Sequence, residues 1–295
     1  MANPSLTLTA GSLDVELSPS IGGAISNFTC TDGGGKTPIL RSCHTPLENV
    51  LDAACFPLVP FSNRIRGGCF RFRDRQVSLR PNMAGDPSPL HGQGWTSAWT
   101  IETVSEAEAA LVFEHQAGDW PWSYRATEHF SLSDNSLHLR LECRNTSGEP
   151  MPCGLGFHPY FHCDADTRIQ TSVAHVCTVD EDVLPVARMP AEGRYAIADA
   201  PVCGRSLDNG YDGWDGEAIF TDPVWPFELR LSSPQARYFQ LYSPPQGGIF
   251  VAEPVTHANA ALNEPETDWT SLGMRVLEPG EAMELEARLE VQPKS

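Results

Sequence analysis

The sequence predicts an all-β protein of two large packed antiparallel sheets with little helix, organised as one domain over residues 1–295. Three observations support this. Short segments of alternating apolar and polar residues follow one another from Leu6 to Val291, and such alternation is typical of half-buried strands. Turn residues separate the segments at intervals of about eight to twelve residues, as in sandwiches and barrels. Sustained helical periodicity is nearly absent, and no linker, repeat or low-complexity tract divides the chain.

The first third of the chain predicts two strands, a glycine pair and a hairpin. Leu6–Leu17 alternates around a short turn and predicts two strands. The glycines of Ile21–Ile25 indicate a bulge or a close backbone approach. The apolar run Phe56–Arg66 contains two prolines. A hairpin is predicted over Cys69–Leu79, because two alternating segments flank a polar turn there.

The rest of the chain continues the strand pattern. In Ser136–Cys143, Leu137, Leu139 and Leu141 share one face. Leu184–Val202 lacks a regular pattern, so we expect an irregular connection with at most one helical turn. The further predicted strands are Trp99–Val104, Ala110–His115, Ser123–Leu132, Val173–Val179, Ala218–Thr221, Glu228–Ser232, Tyr238–Tyr242 and Met283–Val291.

Charge excludes several classes of partner. The chain has 38 acidic and 20 basic residues, a formal net charge of −18. That charge repels phosphate backbones and anionic lipid surfaces, so we expect neither nucleic acid nor membrane as a partner. A local basic pocket remains compatible with it.

Cysteine usage indicates a reducing compartment. Nine cysteines lie between Cys30 and Cys203, and none forms a C-x-x-C pair. This argues against a disulfide framework and a zinc ribbon, so we expect reduced, mostly buried thiols. The N-terminus has no signal-peptide pattern, and no apolar stretch approaches 18 residues. The sequence therefore predicts a soluble, cytoplasmic protein.

A histidine near the middle of the chain stands among aromatic residues. Pro159 disfavours the helical region at His158, so we expect an extended backbone there, with the imidazole held between Phe157 and Tyr160. A fixed imidazole suits proton transfer near neutral pH. The alternative is a half-buried structural histidine.

Four further stretches place polar residues where a strand end meets a loop. Taken singly, Arg64 could be a surface ion-pair partner, His91 a loop histidine and Asp208 the cap of a turn. Glu253 ends an apolar run before a proline, where a carboxylate is less often incidental. The five stretches are Asn63-Arg64-Ile65, Leu90-His91-Gly92, Gly156–Phe161, Leu207–Tyr211 and Val251–His257.

In this order and spacing, the five stretches resemble the aldose 1-epimerase (galactose mutarotase) family. The resemblance extends from about residue 10 to residue 291 and implies a β-supersandwich with a sugar cleft. It implies that Glu253 is the catalytic base and His158 the catalytic acid. It also implies that Arg64, His91 and Asp208 hold the sugar, with Asn63 beside them. Asn259 and Asn263 follow the Glu253-Pro254 dipeptide as part of the matching pattern. We expect no cofactor and no metal, because no binding motif for either appears in the sequence.

The chemistry itself requires such groups. Mutarotation opens a hemiacetal ring and recloses it on the other face of C1. A base takes the proton of the C1 hydroxyl while an acid protonates the ring oxygen, and the two exchange roles on closure. A carboxylate and an imidazolium can do this near pH 7, and each such catalyst typically contributes roughly 10²–10⁴-fold.

Two differences from the family pattern and one cluster of arginines leave the identity of the sugar open. Proline follows His158, and Tyr211 stands where phenylalanine is common in the family. Arg71, Arg73 and Arg75 alternate along a predicted strand and could hold a sugar phosphate, or could form a solvated hairpin face. The prediction is therefore a mutarotase of a free aldohexose, acting as a monomer or homodimer. A hexose-6-phosphate 1-epimerase and a non-catalytic carbohydrate-binding protein are the alternatives.

Other groups of residues give weaker evidence of function. His158 and His162 are four residues apart, but Pro159 makes a helical metal pair unfavourable. His162-Cys163-Asp164 is a weak ligand cluster, and no P-loop, dinucleotide fingerprint or G-x-S-x-G is found. Trp95, Trp214 and Tyr160 could stack on a sugar ring or pack in the core.

Overall fold

The computed structural model describes residues 5–32, 35–43 and 46–294, which form strands and short 3₁₀ turns. The first nine strands are β1 (Leu6–Ala10), β2 (Leu13–Ser18), β3 (Ala24–Asp32), β4 (Gly35–Pro38), β5 (Pro57–Leu58), β6 (Cys69–Phe72), β7 (Arg75–Ser78), β8 (Thr100–Val104) and β9 (Glu108–His115). The next eight are β10 (Tyr124–Leu132), β11 (Ser136–Asn145), β12 (Met151–Cys153), β13 (Gly156–Phe157), β14 (Tyr160–His162), β15 (Arg168–Thr171), β16 (His175–Val179) and β17 (Pro185–Pro190).

The last eight strands complete the chain, and no α-helix occurs in the described ranges. They are β18 (Ala200–Pro201), β19 (Leu207–Asp212), β20 (Glu217–Thr221), β21 (Phe227–Ser232), β22 (Tyr238–Ser243), β23 (Ile249–Val255), β24 (Arg275–Leu277) and β25 (Ala282–Pro293). The 3₁₀ turns are Val50–Asp52, Arg66–Gly68, Gly94–Thr96, Gly193–Tyr195, Ala261–Asn263 and Glu266–Asp268.

Two large antiparallel sheets dominate the architecture, which confirms the predicted fold class. The nine-stranded sheet has the order β18-β15-β20-β21-β25-β11-β10-β9-β8. The eight-stranded sheet has the order β17-β16-β19-β22-β23-β13-β5, with β14 pairing with β23. A four-stranded N-terminal sheet, β1-β2-β3-β4, and the pairs β6-β7 and β12-β24 complete the framework.

The core follows from the alternation seen in the sequence. On β11, Leu137, Leu139 and Leu141 are buried, and they pair with alternate buried residues of β25. Every second side chain of a strand points to one face, so the pairing forms a continuous apolar layer. The buried cluster that includes this layer extends from Leu8 to Val291. Nothing helical in the described ranges has the length and hydropathy needed to cross a bilayer.

The region predicted as an irregular connection contains two strands. Residues 184–202 include β17 and β18, so that prediction was wrong in part. β17 is an edge strand whose side chains are mostly exposed, and it therefore lacks apolar alternation. Its prolines, Pro185 and Pro190, are tolerated because an edge strand has one unpaired side.

Two cysteines depart from the expected reduced state. Cys163 and Cys203 form a disulfide, with their Cα atoms 5.6 Å apart. They lie 40 residues apart in sequence, and a pairing of that kind cannot be deduced from cysteine spacing. Cys55, Cys143 and Cys153 are buried free thiols, as expected.

The arginine cluster does not lie on one strand face. Arg71 is on β6 and Arg75 on β7, while Arg73 occupies the turn between them with a φ of 53°. Arg75 pairs with Glu149 at 2.9 Å, and all three arginines are exposed. The cluster is therefore a solvated hairpin surface, as one of the two sequence interpretations held.

Candidate active site

A cavity of about 260 Å³ lies beside the eight-stranded sheet and gathers the predicted site residues. All six of them line it, although they come from five separate stretches of the chain. The lining residues are Leu51, Phe56, Asn63, Arg64, Met83, Leu90, His91, Trp95, His158, Tyr160, Asp208, Tyr242 and Glu253. The arrangement combines apolar walls with a few convergent polar groups, as is typical of small-ligand sites.

The sheet register brings the two carboxylates to one face. Glu253 pairs across to Gln240, and Asp208 pairs with Tyr242 two positions further along β22. Residues that are paired across neighbouring strands have side chains on the same face of the sheet, as do residues two positions apart on one strand. Gln240 donates from Nε2 to Asp208 Oδ1 at 2.6 Å, which links the two rows of side chains.

His158 is held by the backbone and by two aromatic rings. Its N–H donates to the Phe56 carbonyl at 3.0 Å. The imidazole stacks on the Phe56 ring at 4.5 Å and contacts the Tyr160 ring at 4.7 Å. The prediction that Phe157 flanks the imidazole was wrong, because Phe157 packs in the core. Successive side chains of an extended chain point to opposite faces.

Glu253 and His158 face each other in the cavity. His158 Nε2 lies 3.5 Å from Glu253 Oε1, and the two side chains are only 11% and 4% exposed. The other polar atom of each group, Glu253 Oε2 and His158 Nδ1, is buried without a hydrogen-bond partner among the described residues. Such atoms are costly to bury, so both groups have unused capacity for a ligand or a proton.

Burial moves the two pKa values in opposite directions. It raises the pKa of Glu253 well above its usual value, with Asp208 adding to the rise and Arg64 opposing it. Burial also lowers the pKa of His158 to about 3. The charged form of each group is the one that burial penalises. At this pair, burial therefore favours a carboxylic acid on Glu253 and a neutral imidazole on His158.

Asn63 and His91 form a reciprocal contact at the cavity wall. The Asn63 N–H donates to His91 Nδ1 at 2.9 Å, and the His91 N–H donates to the Asn63 carbonyl at 3.0 Å. Both residues have a φ of 58°, a left-handed conformation that is uncommon outside glycine. The following Gly92 also has a positive φ, and a Cβ there would lie 2.1 Å from the Val59 carbonyl oxygen.

Arg64 is fixed by three contacts. Its Nε donates to Asp86 Oδ2 at 2.8 Å and its Nη1 to Asn63 Oδ1 at 3.2 Å. Its backbone N–H donates to Asn259 Oδ1 at 3.1 Å. The Arg64 side chain is 11% exposed, so the surface ion pair considered from sequence is instead a largely buried one.

By spacing alone, three of these side chains could ligate a metal ion. Candidate ligand atoms of His91, His158 and Glu253 lie within 4.8 Å of one another. A His₂Glu set with an adjoining cavity is a known arrangement for catalytic zinc. In His91, however, Nδ1 already accepts the Asn63 N–H.

The other candidates are divided between cavity and core. Trp95 lines the cavity and stacks on Phe56 at 5.5 Å. Tyr160 also lines it, and burial raises the pKa of its phenol to about 12. Trp214 instead packs on Phe239 at 5.0 Å, outside the cavity lining.

The His162-Cys163-Asp164 sequence does not form a ligand cluster. Cys163 is in the disulfide. His162 Nε2 accepts the Ser42 N–H at 3.1 Å.

Sequence analysis missed several residues of the site or its support, including Leu51 and Met83 on the cavity lining. Phe56 and Tyr242 line the cavity, while Gln240 and Asp86 hold Asp208 and Arg64. Gln240 carried a usable signal, since it is a polar residue between Phe239 and Leu241 in a predicted strand. Asp86 lies in a loop with no such pattern.

Comparisons with known proteins agree with this geometry. The aldose 1-epimerase family matches residues 4–290. The uncharacterized protein YphB of Escherichia coli K12 is 32% identical over 297 residues, which cover 97% of this chain and 98% of YphB. A crystal structure from Escherichia coli K12, titled "Putative aldose 1-epimerase", has a TM-score of 0.90 and 30% identity and covers 99% of both chains.

A more distant structure supports the fold alone. The galactose mutarotase-like protein from Clostridium acetobutylicum has a TM-score of 0.85 and 19% identity, covering 98% of this chain and 95% of its own. With the family match spanning nearly the whole sequence, the chain belongs to the aldose 1-epimerase family.

Proposed function

We propose that this protein is an aldose 1-epimerase that interconverts the α and β anomers of a free aldohexose. The observation that carries the proposal is the contact between His158 Nε2 and Glu253 Oε1, 3.5 Å apart at a cavity of about 260 Å³. Binding alone does not require an acid and a base that face each other. Proton exchange at a sugar hemiacetal requires both.

In the proposed mechanism, Glu253 takes the proton of the C1 hydroxyl and His158 gives a proton to the ring oxygen. The C1–O5 bond breaks as the C1=O1 double bond forms, which yields the open-chain aldehyde. Rotation about C1–C2 presents the other face of the carbonyl. Reclosure returns the proton from Glu253 to O1, while His158 removes the proton of the attacking hydroxyl.

The directions in which burial shifts the pKa values of Glu253 and His158 fit one half of this cycle. Ring opening starts from carboxylate and imidazolium and leaves carboxylic acid and imidazole. Burial favours the second form, through the raised pKa of Glu253 and the lowered pKa of His158. The two forms carry the same number of protons, so they titrate as a pair. Sugar hydroxyls donating to Glu253 would stabilise its carboxylate when a cyclic sugar enters.

The remaining polar residues are proposed to hold the sugar. Arg64 is a fixed donor, and Asp208 is an acceptor whose Oδ1 is oriented by Gln240. His91 donates from Nε2, because its Nδ1 accepts the backbone N–H of Asn63. Trp95, Phe56 and Tyr160 supply aromatic walls around the imidazole.

The direct test is anomer exchange in a panel of freshly dissolved aldoses, followed by polarimetry and by NMR magnetisation transfer. We expect the protein to accelerate equilibration of at least one aldohexose above the spontaneous rate. Methyl glycosides cannot open their rings and should bind as competitive inhibitors. Binding of aldoses without any acceleration would leave a carbohydrate-binding protein and would refute the catalytic proposal.

A further inference from the structure

Asp86 is the direct charge partner of Arg64. The Arg64 Nε donates to Asp86 Oδ2 at 2.8 Å, and the two side chains are 11% and 6% exposed. Their burial sets this pair apart from the exposed pair of Arg80 and Asp119, where the side chains are 86% and 47% exposed. Solvent screens an exposed pair far more than a buried one.

The Asp86 carboxylate is held independently of any ligand. Its Oδ1 accepts the Ser88 N–H at 2.8 Å, while Oδ2 accepts from Arg64. The backbone N–H of Asp86 donates to the Met83 carbonyl at 3.3 Å, and Met83 itself lines the cavity. Asp86 is therefore a fixed acceptor that sets the rotamer of Arg64, because one guanidinium edge must face it.

Arg64 is the only arginine or lysine among the described residues that line the cavity. The carboxyl groups on the lining are those of Asp208 and Glu253, while Asp86 lies behind Arg64. Burial lowers the pKa of His91 and of His158 and so disfavours the charged form of each imidazole. Arg41 lies at 3.7 Å from the Tyr160 ring centroid and donates to the Leu51 carbonyl at 2.7 Å, so it is engaged beside the cavity and is absent from its lining.

We propose that Asp86 is a positioning and specificity-determining residue, which orients Arg64 for hydroxyl recognition and cancels its charge so that the site selects uncharged sugars. This rests on the proposed function of the cavity. A volume of about 260 Å³ corresponds to a sphere roughly 8 Å wide, comparable with the screening length in physiological salt. An anionic group on a bound hexose would thus find no uncompensated positive charge on the cavity lining to attract it.

The test compares one hexose with its 6-carboxylate and its 6-phosphate on the same enzyme. We expect the wild type to bind the uncharged sugar at least ~10-fold more tightly than either anion. Asp86→Asn keeps the size of the side chain but frees the Arg64 charge. It should lower the KM for the anions and raise the KM for the hexose. The ratio of the anion KM to the hexose KM should therefore fall by ~10-fold or more, while kcat changes less.

Several controls separate this role from a merely structural one. All three compounds are measured on one preparation, and a loss of folded protein lowers the maximal rate without changing the ratio of their KM values. Asp119→Asn removes the charge from the exposed pair and should leave the ratio unchanged. Arg64→Gln combined with Asp86→Asn should return the ratio towards the wild-type value, because no charge is then released.

Binding measured by calorimetry or saturation-transfer NMR gives the same ratio without turnover. A protein that binds sugars without exchanging anomers would refute the proposed reaction and still test the role of Asp86. An unchanged ratio in Asp86→Asn, or a wild type that prefers the anions, would overturn the inference.

Discussion

The backbone N–H of Asn63 donates to His91 Nδ1 at 2.9 Å, and this contact fixes the tautomer of the imidazole. A nitrogen that accepts a hydrogen bond carries no proton, so the proton of neutral His91 is on Nε2. Rotating the ring would instead leave the buried Asn63 N–H without an acceptor. His91 is thereby a donor towards the cavity. A metal ion bound at Nε2 of His91 would require the ring proton to be on Nδ1, where it would face the backbone N–H of Asn63.

We therefore predict that the site does not hold a tightly bound divalent metal, although ligand atoms of His91, His158 and Glu253 lie within 4.8 Å of one another. Metal-ligating histidines usually donate their second N–H to an acceptor, and here a donor occupies that place. Anomer exchange should be unchanged after exhaustive chelation. Calorimetric titration with Zn²⁺ should show no tight stoichiometric binding that a sugar displaces. Restoration of lost activity by zinc would contradict this.

The pH profile should lack a step at the usual histidine value. Burial lowers the pKa of His158 to about 3 and raises that of Glu253 well above its ordinary range. Over the pH range that separates the two pKa values, the pair is expected to hold a single proton. We expect kcat/KM to stay flat from about pH 4 through 6.5, the ordinary histidine pKa, and to fall only as alkali removes the proton from Glu253.

Neighbouring charges should move the alkaline limb in opposite directions. Arg64 lowers the pKa of Glu253 and Asp208 raises it. Arg64→Gln should therefore shift the limb to higher pH, and Asp208→Asn should shift it to lower pH. The measurement is kcat/KM against pH, corrected for the spontaneous rate. An acid limb centred near pH 6.5 would show that His158 titrates as an ordinary imidazole.

A second buried carboxyl group offers a stability test outside the site. Glu128 on β10 is 1% exposed, its Oε2 has no partner in the described part of the chain, and burial raises its pKa well above the usual value. A folded-state pKa raised above the unfolded one gives stability that is present at low pH and lost as pH rises through the folded value. The native carboxyl group is therefore more destabilising at pH 8 than at pH 4.

Glu128→Met should consequently raise Tm by roughly 5 °C at pH 8 and by less at pH 4. A buried polar atom without a partner costs ~1–3 kcal/mol, and each kcal/mol of stability changes Tm by a few degrees. Anomer exchange should be unaffected, because Glu128 is not on the cavity lining. Glu106→Met, at an exposed position, is the control and should show no pH-dependent gain. An equal Tm for wild type and Glu128→Met at pH 8 would contradict the argument.

The fold was predictable where burial is one-sided. Leu137, Leu139 and Leu141 alternate in the sequence because β11 buries one face, and the structure confirms that strand. β17 was missed because an exposed edge strand has no apolar face to reveal it. The disulfide of Cys163 and Cys203 was missed because it joins residues that only the tertiary fold brings together.

The candidate site was predictable where its residues stand in a recognisable local sequence pattern. His158, Glu253 and Arg64 stand next to proline, aromatic or apolar residues, and the sequence marks them there. Asp86 and Phe56 act through contacts across the fold, to Arg64 and to the His158 ring. No local pattern encodes such contacts. The roles of the six predicted site residues stay predictions, and kinetics must test them.

The acid–base pair itself gives the sharpest kinetic prediction. Glu253→Gln keeps the shape of the side chain but cannot accept the C1 proton, and His158→Asn keeps a polar group that cannot titrate. Each should lower kcat by roughly 10²-fold or more while changing KM less, because the lost interaction acts in the transition state. Arg64→Ala should instead raise KM as well, since Arg64 is proposed to hold the sugar.

The double variant should lose less than the product of the two single losses, because both groups serve one proton-transfer cycle. An exposed histidine–glutamate pair of nearly the same length provides the matched control. His138 Nε2 lies 3.6 Å from Glu286 Oε2, with the side chains 42% and 37% exposed. His138→Asn and Glu286→Gln should leave kcat at the wild-type value. Thermal melts would establish that each variant is folded, and a folded Glu253→Gln enzyme with near wild-type kcat would remove Glu253 from the role of base.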